Sequence, residues 1–455
     1  MADPPPTRLH VDPPIDQWRV TPRNGRATPV IATGHQPYLW HPGILAKDLA
    51  ADAFARQVGG TALHVVVEHN PLGALAIDVP TRRGRALGTR SLVFADVAAS
   101  SALPPNRLPA IEPAPIHRAI HSAGDLADQS IARELNQVAE AYAAHAGLPH
   151  QAAQTTAALA TLKQPYLTQP MQTLATSRLV TQGFVDRLLS DPVGCVRCYN
   201  RAAMACPQAD IRPLYAGRDV VEAPLWAQAD GVCTPVFVDL GDSKQPLLFT
   251  QGQALDLTGP DALKNLRPRA VTLSAIMRSE HCDLFIHGTG GGIYDRVTER
   301  WWRDWVGEDL APMAVVSADV YLPFDVPTAT REQRRRAQWF AHHLPHNVDR
   351  YTDAADHEET KLRREKQELL DHMNDDRNKR RRARAFQRVH AINAELGERH
   401  HEAINKANQQ AEDARVGRRN ARIASRRDWC FALYPKDQLW SLAEQVRSCL
   451  LPSPR

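Results

Sequence analysis

The chain has no uninterrupted apolar run near the roughly 20 residues that a membrane-spanning helix needs. Its opening residues, Met1 to Pro14, carry neither the basic segment nor the apolar stretch of a secretory leader. These absences lead to the expectation of a soluble cytoplasmic protein with no membrane partner. Cysteine is scarce and odd in number, seven in 455 residues, which in such a chain argues against a disulfide framework. Cys195-x2-Cys198 has the spacing of half a zinc knuckle, and Cys206 and Cys233 are the thiols available to complete it, but they do not form a second Cys-x2-Cys. Small buried apolar thiols are the simpler reading, and zinc is not expected. A dominant charge is lacking too, since 55 basic and 51 acidic side chains leave +4. The excess sits in the carboxyl-terminal third, at Lys379 to Arg384, Arg418-Arg419 and Arg426-Arg427. Glu358, Glu359, Glu365, Glu368, Asp371, Asp375 and Asp376 share that segment, and no aromatics are interleaved with the arginines. A solvated helix face is expected there rather than a nucleic-acid surface.

What the chain does have is a hydrophobic fraction of 43%, enough for a sizeable core, and a length that predicts two or three units at roughly 100 to 200 residues each. The most informative stretch is Thr33-Gly34-His35-Gln36-Pro37-Tyr38-Leu39-Trp40-His41-Pro42-Gly43-Ile44-Leu45-Ala46-Lys47. Pro29 to Thr33 before it is short and apolar enough for a buried parallel strand, and Ile44 to Phe54 after it repeats apolar residues at helical spacing. Pro42 and Gly43 stand at the helix start, where a missing N–H costs nothing and a small residue lets a ligand approach. His35, His41, Gln36 and Lys47 can add side-chain donors to such an anion cradle. The competing reading is an ordinary strand-to-helix turn in which His35 caps the backbone.

A second strand, Ala62 to Val67, ends in Glu68-His69-Asn70. Ligands of parallel sheets bind beyond the carboxyl ends of strands, so these three residues are expected to face the same crevice as Gly34 to Gly43. Late in the chain Leu284-Phe285-Ile286-His287 reads as a buried strand running into Gly288-Thr289-Gly290-Gly291-Gly292 and a helix bearing Tyr294 and Asp295. Glycines there remove Cβ atoms where backbone approaches a ligand and leave N–H groups free for an anion. The cluster is neither a P-loop nor a dinucleotide fingerprint, and the alternative is a tight connection packed under its helix.

The remainder sets the organisation. Residues 1–28 are expected as a disordered or extended arm, and 29–329 as the α/β core. A helical insertion is expected at about 116–190, including a helix over Met171 to Leu189, and short strands from Val220 to Phe249 as an antiparallel extension. Residues 330–428 are almost free of proline and highly charged, with a sparse apolar stripe through Leu362, Leu369, Phe386, Val389, Ile392 and Leu396. That pattern predicts a long helix or helical hairpin. Core-like residues return in 429–455, which is expected to dock on the core.

The turn His41-Pro42-Gly43-Ile44 resembles the His-x-Gly-His turn of nucleotidyltransferases, with the last histidine absent. In order, Thr33-Gly34-His35-Gln36, Val67-Glu68-His69-Asn70, Gly288 to Gly292, the charged helical region and Leu433-Tyr434-Pro435-Lys436-Asp437-Gln438-Leu439 resemble the bacillithiol biosynthesis cysteine-adding enzyme family. There are departures: Glu68-His69-Asn70 stands where that family tends to have Asp-His-Asp, and Trp440-Ser441-Leu442 where a Gln-Glu-Arg-like turn is usual.

The resemblance implies an α/β fold with a Rossmann-like, nucleotidyltransferase-related core, helical insertions and a long C-terminal coiled coil or helical hairpin, through which two chains can pair. It implies a cytoplasmic ligase joining cysteine, or a similar amino acid, to an amino-sugar conjugate such as glucosaminyl malate, with ATP or ADP as cofactor and small molecules as partners. In that reading His35, His41, His69 and Glu68 are catalytic, and Gly34, Gln36, Gly43 and Lys47 bind nucleotide or phosphate. Asn70, His287, Gly288, Gly290, Gly291, Gly292, Tyr294 and Asp295 bind substrate. A non-catalytic nucleotide-binding or coiled-coil scaffold is the alternative.

Overall fold

The computed structural model describes residues 6–95, 103–124, 126, 129–229, 231–241, 246–257 and 262–450. Residues 1–5 of the expected arm and 451–455 of the expected docking segment lie outside the described residues. The described residues divide into two compact units, one comprising Arg82–Gly88 and Pro323–Arg426, the other the rest.

The larger unit is built on a six-stranded sheet of β1 (Arg8–Asp12), β2 (Val30–His35), β3 (Thr61–Val66), β4 (Gln172–Ala175), β5 (Leu284–His287) and β6 (Met313–Asp319). Their spatial order is β1-β6-β5-β2-β3-β4, all parallel except β1 against β6. All four residues of β5 are buried, as a strand covered on both faces requires. Thr33 Oγ1, also buried, donates to the Ile286 carbonyl at 2.8 Å and ties β2 to β5. From β2 the chain passes through the Pro42–Gln57 helix to β3, and from β5 through the Thr289–Val306 helix to β6. The two connections leave adjacent strands in opposite directions, so β2 and β5 flank a topological switch point. Beyond their carboxyl ends lies the crevice where open α/β sheets hold ligands.

Two expectations need correction here. Gln172–Ala175, inside the segment expected to be helical, is the edge strand β4, held in register by Leu63 to Val66 of β3. Four residues carry no local periodicity to announce a strand, and the neighbour supplies the order. The short strands after Val220 do not extend the central sheet. They form a separate five-stranded antiparallel sheet of Val220–Ala229, Val232–Asp239, Leu247–Thr250, Gln253–Ala254 and Leu266–Pro268.

Within the expected arm, β1 pairs along its full length with β6. Within the last segment, Phe431 N–H donates to the Trp40 carbonyl at 2.6 Å, Tyr434 O–H donates to the Val320 carbonyl at 3.0 Å, and Trp429 to Tyr434 are buried. The core around β2, β3 and β5 contains Trp301, Phe285, Tyr199, Cys195 and Cys198.

The smaller unit is helical, with Arg331–His343, His357–Asp375, Lys379–Arg399 and His401–Ala424 as its main helices. The charged region is thus broken at 344–356, at 376–378 and at His400 rather than forming one rod. Asn378 accepts from the Arg380 and Arg381 amides and starts a new helix. Val348, Ile392 and Leu396, flanked by Leu362, Leu369 and Ile404, make its small core. Most of its charged residues face solvent, as the sparse apolar stripe requires. Asn420 staples the unit by accepting from the Leu87 amide at 2.8 Å and donating to the Arg85 and Pro327 carbonyls.

Candidate active site

A cavity of about 860 Å³ opens at the switch point of the larger unit. Segments far apart in the chain meet in its wall: Gly34, His35, Gln36, His41, Gly43 and Lys47 from the first turn, His69 and Asn70 from the end of β3, and His287, Gly288, Gly290, Gly291 and Tyr294 from the glycine-rich turn. Close approach explains two of the glycines. A Cβ on Gly34 would stand 2.7 Å from the Val65 carbonyl oxygen, and one on Gly43 would stand 2.8 Å from that of Ala318.

The two helix starts differ in what they offer an anion. In the Pro42–Gln57 helix, Pro42 has no N–H, Gly43 N–H donates to His41 Nδ1 at 3.0 Å, and the Ile44 amide donates to the His41 carbonyl at 3.0 Å. The amide cradle expected at Gly43 is therefore already satisfied, by His41 acting as the N-cap. In the Thr289–Val306 helix, Gly288 provides no side-chain cap and the first intrahelical bond runs from Gly292 N–H to the Gly288 carbonyl. The amides of Thr289, Gly290 and Gly291 precede that bond, and these three residues line the cavity, where first-turn amides suit an anion.

Side chains add a consistent charge pattern. Lys47, buried to 3% exposure, donates from Nζ to the Gly34 carbonyl at 2.7 Å. Burial pulls its pKa down to about 8, helped by Lys163 and opposed by Asp48. His35 Nδ1 accepts from the Gln36 amide at 2.9 Å. Burial, then Lys47 and His64, depresses its proton affinity to a pKa of about 2. Burial and Arg427 lower that of His41. His69, with Nδ1 2.9 Å from Thr176 Oγ1, falls to about 4 through burial and Arg267. At neutral pH the cavity therefore carries three uncharged imidazoles around a mostly cationic lysine.

Three of the expected site residues lie elsewhere or work indirectly. Glu68 points into a separate cleft on the other side of the β3 end, accepting from the Ser177 amide at 3.3 Å. Glu68 and His69 both lie beyond the last residue of β3, where the chain bends at His69, and the contacts with Ser177 and Thr176 hold them apart. Gly292 does not line the cavity: a Cβ there would stand 2.4 Å from Val315 Cγ2, so it is a packing glycine. Asp295 is fully buried, with Oδ2 2.6 Å from Arg278 Nη1 and 3.1 Å from His287 Nε2. Burial alone would raise its carboxyl, but His287 and Arg278 outweigh it and hold the group below the ordinary carboxylate range. It orients His287 rather than facing a ligand. The thiols Cys195, Cys198, Cys206 and Cys233 are free, with Cys198 Sγ on the Asp304 carbonyl and Cys233 Sγ on the His69 carbonyl. Among the described residues no group of three or more His, Cys, Asp or Glu is placed to hold a metal.

Several cavity residues escaped the sequence reading. Arg269, 9% exposed, lies with Cζ 4.0 Å from the Trp226 ring centroid and donates from Nη2 to Glu222 Oε1 at 2.6 Å. Arg212 donates to the same carboxylate at 2.8 Å. Glu222 thus sits between two guanidinium groups, and Asp210 lines the same wall beside Arg212. Tyr199, Trp226 and Tyr38 supply aromatic faces. The only local hint was the pair of arginines in Arg267-Pro268-Arg269, whose side chains part: Arg269 lines this cavity and Arg267 the separate cleft.

Comparison with protein-family models finds no match, and comparison with curated proteins finds none.

Proposed function

We propose that the chain is a carbon–nitrogen ligase of the cysteine-adding type, working on a Rossmann-like, nucleotidyltransferase-related core, with a nucleotide and an anionic amino-sugar conjugate as its ligands. The observation that carries this reading is the convergence of Lys47, the free amides of Thr289 to Gly291, three neutral histidines and Arg269 on one cavity at a sheet switch point.

The residues fit a nucleotide. The cavity's volume lies within the roughly 300–1,000 Å³ of small-molecule sites. The helix amides and Lys47 match phosphoryl oxygens, and no atom lies within 4 Å of where a Gly290 Cβ would be. Trp226 and Tyr199 offer faces for a base or a sugar ring. A bound nucleoside triphosphate would supply the leaving group that activates a carboxyl.

The chain's own groups supply the rest. Lys47 and the helix amides stabilise charge developing on the phosphoryl oxygens. Arg269, preoriented by Glu222 and Trp226, takes a substrate carboxylate as a planar fork. His69, its Nδ1 tied to Thr176, accepts the amine proton as the C–N bond forms and the leaving group departs with its electron pair. An anion in the cavity raises the proton affinity of His69 toward the range useful for that step.

Calorimetric titration with ATP and ADP is expected to show saturable binding at one site. Incubation with ATP, cysteine and glucosaminyl malate is expected to yield the amide by mass spectrometry. Absence of both overturns the reading and favours a non-catalytic scaffold. A deletion strain is expected to lack a thiol and accumulate its amine precursor.

A further inference from the structure

Behind the β3 end lies a second cleft of about 800 Å³ that the proposed chemistry does not use. Glu68 and His69 are consecutive, yet Glu68 faces this cleft and His69 the first cavity. The wall between them is stitched by Thr176 Oγ1 on His69 Nδ1 and the Ser177 amide on Glu68.

Four cations line this cleft, Arg107, Arg178, Lys264 and Arg267, against Glu68 as the one carboxylate among its lining residues. They come from three separate stretches of chain, Lys264 and Arg267 sharing one, so they are not the regularly spaced face of a solvated helix. Neither Arg107 nor Arg178 forms an ion pair among the described residues, and both are exposed at the rim.

Arg267 is different in kind. It is 4% exposed, donates from Nη2 to Gln228 Oε1 at 2.7 Å, and keeps a buried Nε without a partner. Gln228 is itself locked by two reciprocal 3.1 Å bonds with Asn106. A guanidinium held in place at the floor, with mobile-length cations at the rim, is a preorganised oxyanion site rather than a diffuse basic surface. Lys264 is already engaged by a partner of its own, and Arg107, Arg178 and Arg267 against Glu68 leave two positive charges, so a ligand of at least two negative charges is needed to balance them.

We infer that this cleft binds a small phosphorylated metabolite through Arg267 at its floor and Arg107 and Arg178 at its rim, separately from the first cavity. A phosphoryl group presents the several acceptor oxygens and the charge that this donor set requires, and the cleft is large enough for the organic part it is esterified to. Inorganic pyrophosphate carries the same chemistry without that organic part and is the probe.

The test is calorimetric titration of the full chain with pyrophosphate, wild type against Arg107→Ala/Arg178→Ala. Both arginines are exposed, and an unchanged thermal transition will verify that the variant folds. Wild type is expected to bind pyrophosphate saturably. The variant is expected to lose about a hundredfold in affinity at this cleft, about tenfold per charge-assisted contact, while its titration with ATP stays as in wild type. Identical pyrophosphate isotherms for the two proteins overturn the inference, as does binding that never saturates and vanishes with modest salt. If ATP does not bind at all but the arginine-sensitive pyrophosphate site persists, the cleft stands and the ligase reading falls.

Discussion

Lys47→Met separates what the buried ammonium does for the anion site from what it does to the fold. The pKa of Lys47 falls from an ordinary 10.5 to about 8, chiefly because burial disfavours its charged form. Above pH 10.5 the lysine is neutral both folded and unfolded and contributes no penalty. As pH falls toward 8 the unfolded chain takes up a proton that the folded chain refuses, so stability declines. Below about 8 both states are protonated and the full penalty is present, about 3 kcal/mol at roughly 1.4 kcal/mol per tenfold. Methionine removes that penalty and fills a similar volume, but it forfeits the 2.7 Å bond to the Gly34 carbonyl, which is worth about 1.5–3 kcal/mol as a bond from a charged donor. The variant is therefore expected to be between equal to wild type and about 1.5 kcal/mol more stable at pH 7. That difference should shift by about 3 kcal/mol toward wild type between pH 8 and 10.5. Urea unfolding of both proteins across that range measures it, and calorimetry should show ATP affinity down about a hundredfold. A variant destabilised by several kcal/mol at pH 7 with ATP binding intact would refute the placement of Lys47 as a strained anion-site cation.

His41→Ala is expected to lower stability by about 1 kcal/mol, because it removes the N-cap acceptor of the Gly43 amide; urea titration checks this, and no change would mean the cap is worth nothing here. His69 is expected to titrate near 4 by NMR in the ligand-free protein. Its depressed pKa also means that the unfolded chain gains the proton first, so this residue destabilises the fold as pH drops from about 6.5 toward 4. A His69→Gln variant should lose that acid-side decline, while a His69 resonance titrating at its ordinary value would show the ring to be solvated.

The first turn, the β2 strand and the glycine-rich helix start were all legible in local sequence, because Thr33 to Lys47 and Leu284 to Gly292 each carry their strand, turn and helix signals within about fifteen residues. The charged helices were legible as helices for the same reason, although Asn378 and His400, which divide them, were not singled out. Residues that answer to a distant neighbour were less visible. β4 has too few residues to signal itself and takes its register from β3. Glu68 and His69 are adjacent in the chain and part company just after β3, each held by its own distant partner, Ser177 for Glu68 and Thr176 for His69. Trp226 lies in, and Arg269 immediately follows, a second sheet whose docking against the first no local pattern encodes.

By itself the sequence determined where the chain extends, turns and coils, since backbone sterics, proline and glycine act over a few residues. Tertiary structure alone decided which polar groups are free. The Gly43 amide is taken by His41 and the Gly290 amide is not, and Asp295 is buried with its Oδ2 against Arg278 and His287. A hydrogen-bond donor or acceptor becomes a site only when the folded chain leaves it unsatisfied, and that is settled by neighbours brought together from hundreds of residues away.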